Sequence, residues 1–371
     1  MGFGEEGKNL SLKGFSLFPK STCQPLSKAR MIYMWVKGDM HVHSHCCGDG
    51  KMSVNDIVEN ARQYCDFLAI AGHCRVPEFF RAEQQYQEVL AARRKFDMPI
   101  FNTGEIEFPI PRHVIVFTTP DDREFELLQS LVPRFCRRNG VEGLAAAMEE
   151  LDFLQKEWGD NCCMIFNHPN APDVALSDLQ ELAKSPVFRV MACVDRGERR
   201  APQTWDVGAE WDQLLMQGFR ISSRCGSDFH SHLGLGGKDY FPGEFVQDCL
   251  QVERNDYRDI LQAYRNGNFY TTVGNLIAEP VFTVQQDKGV RQMHLAFDLQ
   301  GEMEFVEVIS EGRVIERFTE FSDRFDRSFS VPDGKYYRVR GAGKLQKRKY
   351  TEGGFEPIFL LNPIYCAGEN A

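Results

Sequence analysis

The sequence predicts an α/β fold in two parts: a largely parallel sheet or barrel, followed by a small antiparallel β domain. Three observations carry this. Short apolar runs of strand character alternate with helical segments over most of the chain, the pattern of a parallel sheet with crossover helices. Past Glu279 the helical patterns stop and short alternating runs appear between Gly, Asp and Pro turns, as in antiparallel β structure. In the first part, His41, His43, His73, Glu105, His168, Asp228 and His230 each stand at or just beyond the C-terminal end of a predicted strand, which in a β/α barrel is the active-site face.

Taken in order, Met31 to Met40 reads as a strand running into His41, and Ser53-Val54-Asn55-Asp56 reads as a capping box opening a helix to about Cys65. Asp66 to Ala71 is a second strand signal ending at His73, and Phe80 to Lys95 carries helical spacing. Further strands are expected at Met98 to Asn102, His113 to Phe117, Cys162 to Phe166, Phe188 to Val194 and Phe219 to Ser223, with helices such as Glu142 to Trp158 and Gly208 to Gln217 between them. In the second part the strand signals are Met293 to Phe297, Phe305 to Ile309, Arg327 to Val331 and Tyr336 to Val339. The basic run Lys344 to Lys349 reads as a solvated hairpin loop. The expected division is an N-terminal extension over 1–30, a barrel over 31–278 and a β domain over 279–371.

Composition narrows the function. A chain of 371 residues is long enough for two domains at about 150 residues each. No apolar run approaches the ~20 residues of a membrane helix, and the N-terminus lacks the pattern of a signal peptide, so a soluble, cytoplasmic protein is expected. Twelve cysteines without regular spacing or a C-x-x-C pair read as reduced, buried thiols. A formal charge of −10 speaks against a nucleic-acid polymer as partner and for a small-molecule substrate.

His41-Val42-His43 places two imidazoles on one side of a strand, where both reach a single cation. The same loop continues to Asp49, flanked by Gly48 and Gly50, which can turn the backbone toward the metal. The stretch GDMHVHSHCCGDGKMSVNDIVENARQYCDFLAIAGH resembles the opening of a PHP (polymerase and histidinol phosphatase) domain, with its D-L-H-x-H-S/T, S-D-G, helix and I-T-D-H. GEIEFPIPRHVIVF resembles the family's glutamate-and-histidine segment, IFNHPN its histidine-proline segment and CGSDFHSHLG its closing G-S-D-x-H, in the family's order over roughly residues 38 to 240. WDQLLMQGFRISSRCGSDFH, AYRNGNFYTTVG and the tail closing on FLLNPIYC are similar to the carbaryl hydrolase-like (CehA/McbA) branch.

The resemblance implies a distorted seven-stranded, TIM-like β/α barrel and a trinuclear site of Zn, Mn or Fe ions. One ion would take His41, His43, Glu105 and Asp228; a second would share Glu105 and add His113 and His168; a third would use Asp49, His73 and His230. Asp228, His230, Glu105 and His73 are the catalytic candidates among them. His45 stands as an alternative to Asp49, and Glu107 to Glu105. Ala71-Gly72 replaces the family's Thr-Asp before His73, removing a carboxylate that would orient that ring and implying a weaker hold on the third ion. Cys46, Cys47, Cys162 and Cys163 read as buried hydrophobes, and His45, His232 and His294 as hydrogen-bonded core or surface residues. Arg75, Arg196, Arg199 and Arg200 read equally as anion clamps or as partners in surface salt bridges.

The implied activity is hydrolysis of a small phosphorylated metabolite or nucleotide by a hydroxide bridging two metal ions. The alternatives are a carboxyl ester, carbamate or amide hydrolase, favoured by an apolar pocket near Phe79, Phe80 and Phe108, and a non-catalytic, metal-stabilised binding protein.

Overall fold

Seven strands form one flank of the molecule: β1 (Met34–Val42), β2 (Phe67–Cys74), β3 (Ile100–Phe108), β4 (Arg112–Thr118), β5 (Cys162–Phe166), β6 (Phe188–Asp195) and β7 (Ser222–Gly226). They belong to a computed structural model that describes residues 33–74, 80–109, 112–135, 143–167, 175–195, 209–287, 289–347, 349–350, 352 and 354–366. The expected N-terminal extension over 1–30 lies outside the described residues. β2, FLAIAGHC, is buried at every position, which is why it reads as a continuous apolar run rather than an alternating one.

β1, β2 and β3 pair in parallel, as do β5, β6 and β7, but β4 runs antiparallel to both its neighbours. The exception has a simple cause. Three residues separate Phe108 from Arg112, far fewer than the dozen or so a parallel crossover requires.

Helices α1 (Val54–Ala61), α2 (Ala82–Lys95), α3 (Glu124–Phe135), α4 (Leu144–Glu157), α5 (Leu176–Leu182), α6 (Ala209–Met216) and α7 (Tyr257–Asn266) fill the connections. The Ser53 hydroxyl accepts from Asp56 N at 3.2 Å and donates to the Asp56 carboxylate at 2.7 Å, capping α1. Val54, Ile57, Val58 and Ala61 form its buried stripe. The helix stops at Ala61, short of the expected Cys65, because Asp66 N already donates to Lys37 O at 2.7 Å as the chain enters β2 beside β1. Phe67, Phe101, Phe117, Ile165 and Val190 from β2 to β6 meet Ile260 and Tyr264 of α7 in one buried cluster.

The sheet does not end at these seven strands. β8 (Val246–Val252), β9 (Phe269–Val273), β12 (Met303–Ser310), β13 (Arg313–Phe318), β15 (Tyr336–Gly343) and β18 (Ile358–Tyr365) extend it to 13, in the order β13-β12-β15-β18-β9-β8-β1-β2-β3-β4-β5-β6-β7. The sheet thus has 13 strands where a distorted seven-stranded barrel was expected. At the far end the chain beyond β7 returns to β1 through a Val42–Phe229 bridge, with His43 N donating to Phe229 O at 2.8 Å. The reason a 13-stranded sheet was not foreseen lies in β8 and β9, whose antiparallel pairing bridges both parts of the chain.

β10 (Ile277–Asp287), β11 (Val290–Leu299) and β14 (Arg324–Val331) form a second, three-stranded antiparallel sheet. Its Met293, Leu295, Phe297 and Phe325 share a core with Val306, Val339, Phe359 and Leu361 of the large sheet. The expected boundary at 278/279 falls inside β10. The basic run lies where a short hairpin, β16 (Gln346–Lys347) with β17 (Gly354–Phe355), begins; Lys344 pairs with Glu302 at 3.0 Å and Lys349 with Glu244 at 2.6 Å. Among the described residues no helix is long and apolar enough to cross a membrane.

Candidate metal centre

The ends of β1, β2, β3 and β4 and the turn after β7 bring eight of the nine sequence-derived ligand candidates to one place. The ninth, His168, lies outside the described residues. His41 and His43 share a side of β1 by its two-residue alternation. His73 and Glu105 are register partners on the parallel pair β2–β3, and His113 stands on β4 opposite Glu107, diagonal to Glu105. Asp228 takes a left-handed backbone (φ 48°), and the Phe229 bridge to Val42 of β1 brings both Asp228 and His230 against His43, the former at 3.1 Å from its Nε2 and the latter stacked on its ring at 4.2 Å between centroids. Such a conformation is uncommon away from glycine, and Asp is among the residues that tolerate it.

Glu105 is the hub. Its Oε1 lies 3.1 Å from both His41 Nε2 and His113 Nδ1, and its Oε2 lies 2.9 Å from His73 Nδ1 and 3.5 Å from His43 Nε2. Asp228 Oδ1 lies 3.1 Å from His43 Nε2 and 3.3 Å from His41 Nε2. Asp49 Oδ2 lies 3.2 Å from His73 Nε2 and 3.5 Å from His230 Nε2. Three overlapping donor groups result: His41, His43, Glu105 and Asp228; His73, Glu105 and His113; and His43, Asp49, His73 and His230, with the atoms of each group within 4.8 Å of one another.

The donors fit divalent cations. Metal bonds of about 2.0–2.2 Å to N and O place neighbouring donors about 3–3.5 Å apart, the spacing seen here. His73 Nδ1 approaches Glu105 without hydrogen-bond alignment, and the buried Asp49 Oδ1 makes no hydrogen bond. These are atoms converging on a common point rather than donors meeting acceptors.

Charge supports the same reading. Burial, helped by the neighbouring His73, holds the His43 imidazole down to about 3, so it is neutral with a lone pair to give. At His73 burial opposes protonation, yet Asp49 and Glu105 outweigh it and lift the ring to about 9. Burial works against ionisation of Asp228 and Asp49, but His41 and His43 at the former, and His230 and His73 at the latter, hold both well below the usual carboxylate range.

An outer layer of polar contacts fixes the ligands. His230 Nδ1 donates to Asp228 O at 2.8 Å, which leaves Nε2 to face Asp49. Asp239 Oδ2 accepts from His230 N at 2.8 Å and Ser231 N at 3.2 Å. Asn167 Nδ2 donates to Glu105 Oε1 at 3.1 Å while its backbone N donates to His113 O at 2.9 Å. Beneath the site Asp39 accepts from His41 N at 2.9 Å, Ser227 N at 3.1 Å and Arg224 Nη2 at 3.3 Å; Arg224 Nε reaches Asp248 at 2.8 Å. Sequence reasoning missed Asn167, Asp239 and the Asp39–Arg224–Asp248 network. Asn167 and Asp39 stood inside the motifs already quoted.

The remaining candidates divide. His45 meets Glu88 at 2.7 Å and is absent from the Asp49 group; Glu107 is absent from all three groups. Gly72 leaves room that the Phe80 ring fills: a Cβ there would lie 2.1 Å from Phe80 Cε2, so no larger residue fits without displacing that ring. Burial pushes the Cys46 and Cys47 thiols up to about 11 and Cys162 and Cys163 up to about 12, so all four stay protonated in the ion-free protein. His232 bonds Glu244 at 3.1 Å and stacks on Phe241, and His294 pairs with Asp326. Arg75, Arg196, Arg199, Arg200 and Phe79 lie outside the described residues.

No protein-family model matches the sequence, and no curated protein matches it. Among solved structures the chain is similar to a two-domain protein from Bacteroides vulgatus described as containing a predicted PHP-like metal-dependent phosphoesterase, at 12% identity and a TM-score of 0.48 over 87% of this chain and 94% of that one. It is also similar to endonuclease Q bound to a duplex with an abasic lesion (14% identity, TM-score 0.37, 62% of this chain and 57% of that one). A third is an amidohydrolase from Chromobacterium violaceum (13% identity, TM-score 0.35, 52% of this chain and 87% of that one). The carbaryl hydrolase-like branch has no support among these structures.

Proposed function

We propose that the chain is a divalent-metal-dependent hydrolase acting as a phosphoesterase on a small, anionic substrate such as a phosphorylated metabolite or nucleotide. The observation that carries the reading is the set of three adjoining donor groups that share Glu105, His43 and His73. Bound divalent ions would supply an activated water, its pKa lowered to about 7, and would polarise the scissile group.

The chain's own residues set the charge of the site. Three divalent ions would bring six positive charges against the three carboxylates of Asp49, Glu105 and Asp228, leaving a surplus that a phosphomonoester dianion and a hydroxide balance. A neutral carboxyl ester would leave most of it uncompensated. Glu105, held by Asn167, keeps the first two groups at a fixed separation. Asp49, on a loop, and His230, on the turn braced by Asp239, close the third. His168 is proposed as a further ligand of the His113 group, next to Asn167.

The ester, carbamate or amide reading gains nothing from Phe80 and Phe108, two of the three aromatic residues it would use. Phe80 and Phe108 are each 4% exposed and belong to the hydrophobic core. The small-molecule preference rests on the charge of −10.

The test is hydrolysis by ion-free protein reloaded with Mn²⁺, Zn²⁺ or Fe²⁺, comparing p-nitrophenyl phosphate with p-nitrophenyl acetate, with Asp228→Ala as control. Phosphate release that needs both metal and Asp228 is expected. Cleavage of the acetate alone, or full rate and metal content in Asp228→Ala, would overturn the proposal.

A further inference from the structure

Beside the three donor groups stands a fourth, with different chemistry. His45 and Cys46, on the loop after β1, face Glu88 of α2, and the His45 Nε2, Cys46 Sγ and Glu88 carboxylate oxygen lie within 4.8 Å of one another. We infer that His45, Cys46 and Glu88 form a separate single-ion site for Zn²⁺ or a similar borderline cation, with its fourth position open to water.

Three observations point there. The donor set joins imidazole, thiol and carboxylate, the combination that selects zinc over magnesium or calcium. One edge matches that of a tetrahedral ion: Cys46 Sγ lies 3.7 Å from Glu88 Oε1, against about 3.6 Å for Zn–S of about 2.3 Å and Zn–O of about 2.1 Å. The His45 Nε2–Glu88 Oε1 separation of 2.7 Å would open by about 0.6 Å. The frame is also held from outside. Glu88 Oε2 accepts from Val54 N at 3.2 Å, Gln84 Nε2 donates to Glu88 Oε1 at 2.9 Å, and Arg81 binds both carbonyls, its Nη2 at 2.6 Å from His45 O and its N at 3.0 Å from Cys46 O.

Cys46 is buried while His45 and Glu88 are partly exposed, so an ion would enter from solvent past two ligands and meet the third inside. On binding, the Cys46 thiol proton leaves to solvent, the proton that His45 Nε2 gives to Glu88 Oε1 in the ion-free protein is lost from Nε2 as the ring takes the tautomer protonated on Nδ1, and Glu88 arrives already ionised. No electron is transferred.

Sulfur makes the site separately visible, because the other three groups contain only nitrogen and oxygen donors. The chelator-stripped full chain is titrated with Co²⁺ and watched for the near-ultraviolet thiolate-to-cobalt band. The expected result is a band whose plateau corresponds to one thiolate-bound ion per chain, whatever the other three groups take up, which disappears in Cys46→Ser with the loss of one bound ion at saturation and persists in Cys47→Ala. Because Cys46 is buried and its serine variant can misfold, Glu88→Gln and His45→Asn are measured too; each should weaken the affinity reported by the band at least about tenfold. No band in the unmodified chain, a band that depends on Cys47 instead, or one indifferent to both Glu88 and His45 would overturn the inference. None of these outcomes bears on the phosphoesterase proposal, whose ligands and readout are different.

Discussion

Glu105→Gln keeps the shape of the hub and removes its charge. The carboxylate serves His41, His43, His73 and His113 at 2.9–3.5 Å, so an amide would set an N–H₂ against imidazole nitrogens that must offer lone pairs. Two of the three donor groups contain Glu105; the group of His43, Asp49, His73 and His230 does not. Bound metal should therefore fall by two ions per chain. At a free-ion concentration about 100 times Kd each ion stabilises the fold by ~2.7 kcal/mol, so the loss is ~5 kcal/mol of linked stability. Unfolding entropy of ~2.1 cal/mol/K per residue over 371 residues is about 0.8 kcal/mol/K. The gap in Tm between Mn²⁺-loaded and chelated protein should thus shrink by about 7 °C. Calorimetry in both conditions, with elemental analysis of the same samples, measures it. An unchanged gap with unchanged metal content would show that Glu105 is not a shared ligand.

Further outcomes are expected elsewhere. A Cβ on Gly50 would lie 2.1 Å from Ser44 O, which is backbone and cannot yield cheaply, so Gly50→Ala should pull Asp49 from His73 and His230 and cost one bound ion. Full metal content by elemental analysis would contradict this. Arg224→Met strands Asp39 and Asp248 as buried carboxylates without their guanidinium; urea unfolding should show a loss of about 3–5 kcal/mol, and a loss below about 1 would refute the role. In chelated protein the His73 imidazole, raised to about 9 from 6.5, favours the folded state fully below pH 6.5 and loses that contribution as pH rises to 9. Ion-free stability should fall by about 3 kcal/mol across that window while metal affinity rises. His73→Asn should flatten the profile, and a profile equally steep in the variant would assign it to other groups.

The strands that carry the site were readable because burial on both faces makes them plain apolar runs, and β5 begins and ends where the sequence placed it. Most of the ligand candidates were readable because they stand at the end of such a run; Asp49, on the loop after β1, and His113, at the start of β4, were readable only through the motifs around them. Contacts between residues far apart in the chain were not. Asp39 and Arg224 are 185 residues apart, and nothing local to either marks the other as its partner. Asp239 follows a glycine-rich stretch, and nothing in the sequence around it tells that its carboxylate accepts from His230 N. The extent of the sheet was hidden for the same reason, since β8 and β9 acquire meaning only beside β1 and β18.

That last pairing sets a schedule for synthesis. Thr272 of β9 bonds Ile358 of β18 across 86 residues, and Asn362 of β18 reaches Ser223 of β7 and Phe269 of β9. At ~5–20 residues per second a ribosome needs about 4–17 s to deliver the partner after β9 has emerged. For that interval the strand presents an open edge in the middle of the future sheet, the kind of surface that pairs with neighbouring nascent chains. Slower delivery of residues 273 to 358 would lengthen that exposure, so the separation of β9 from β18 in the chain sets how long the edge stays open during synthesis.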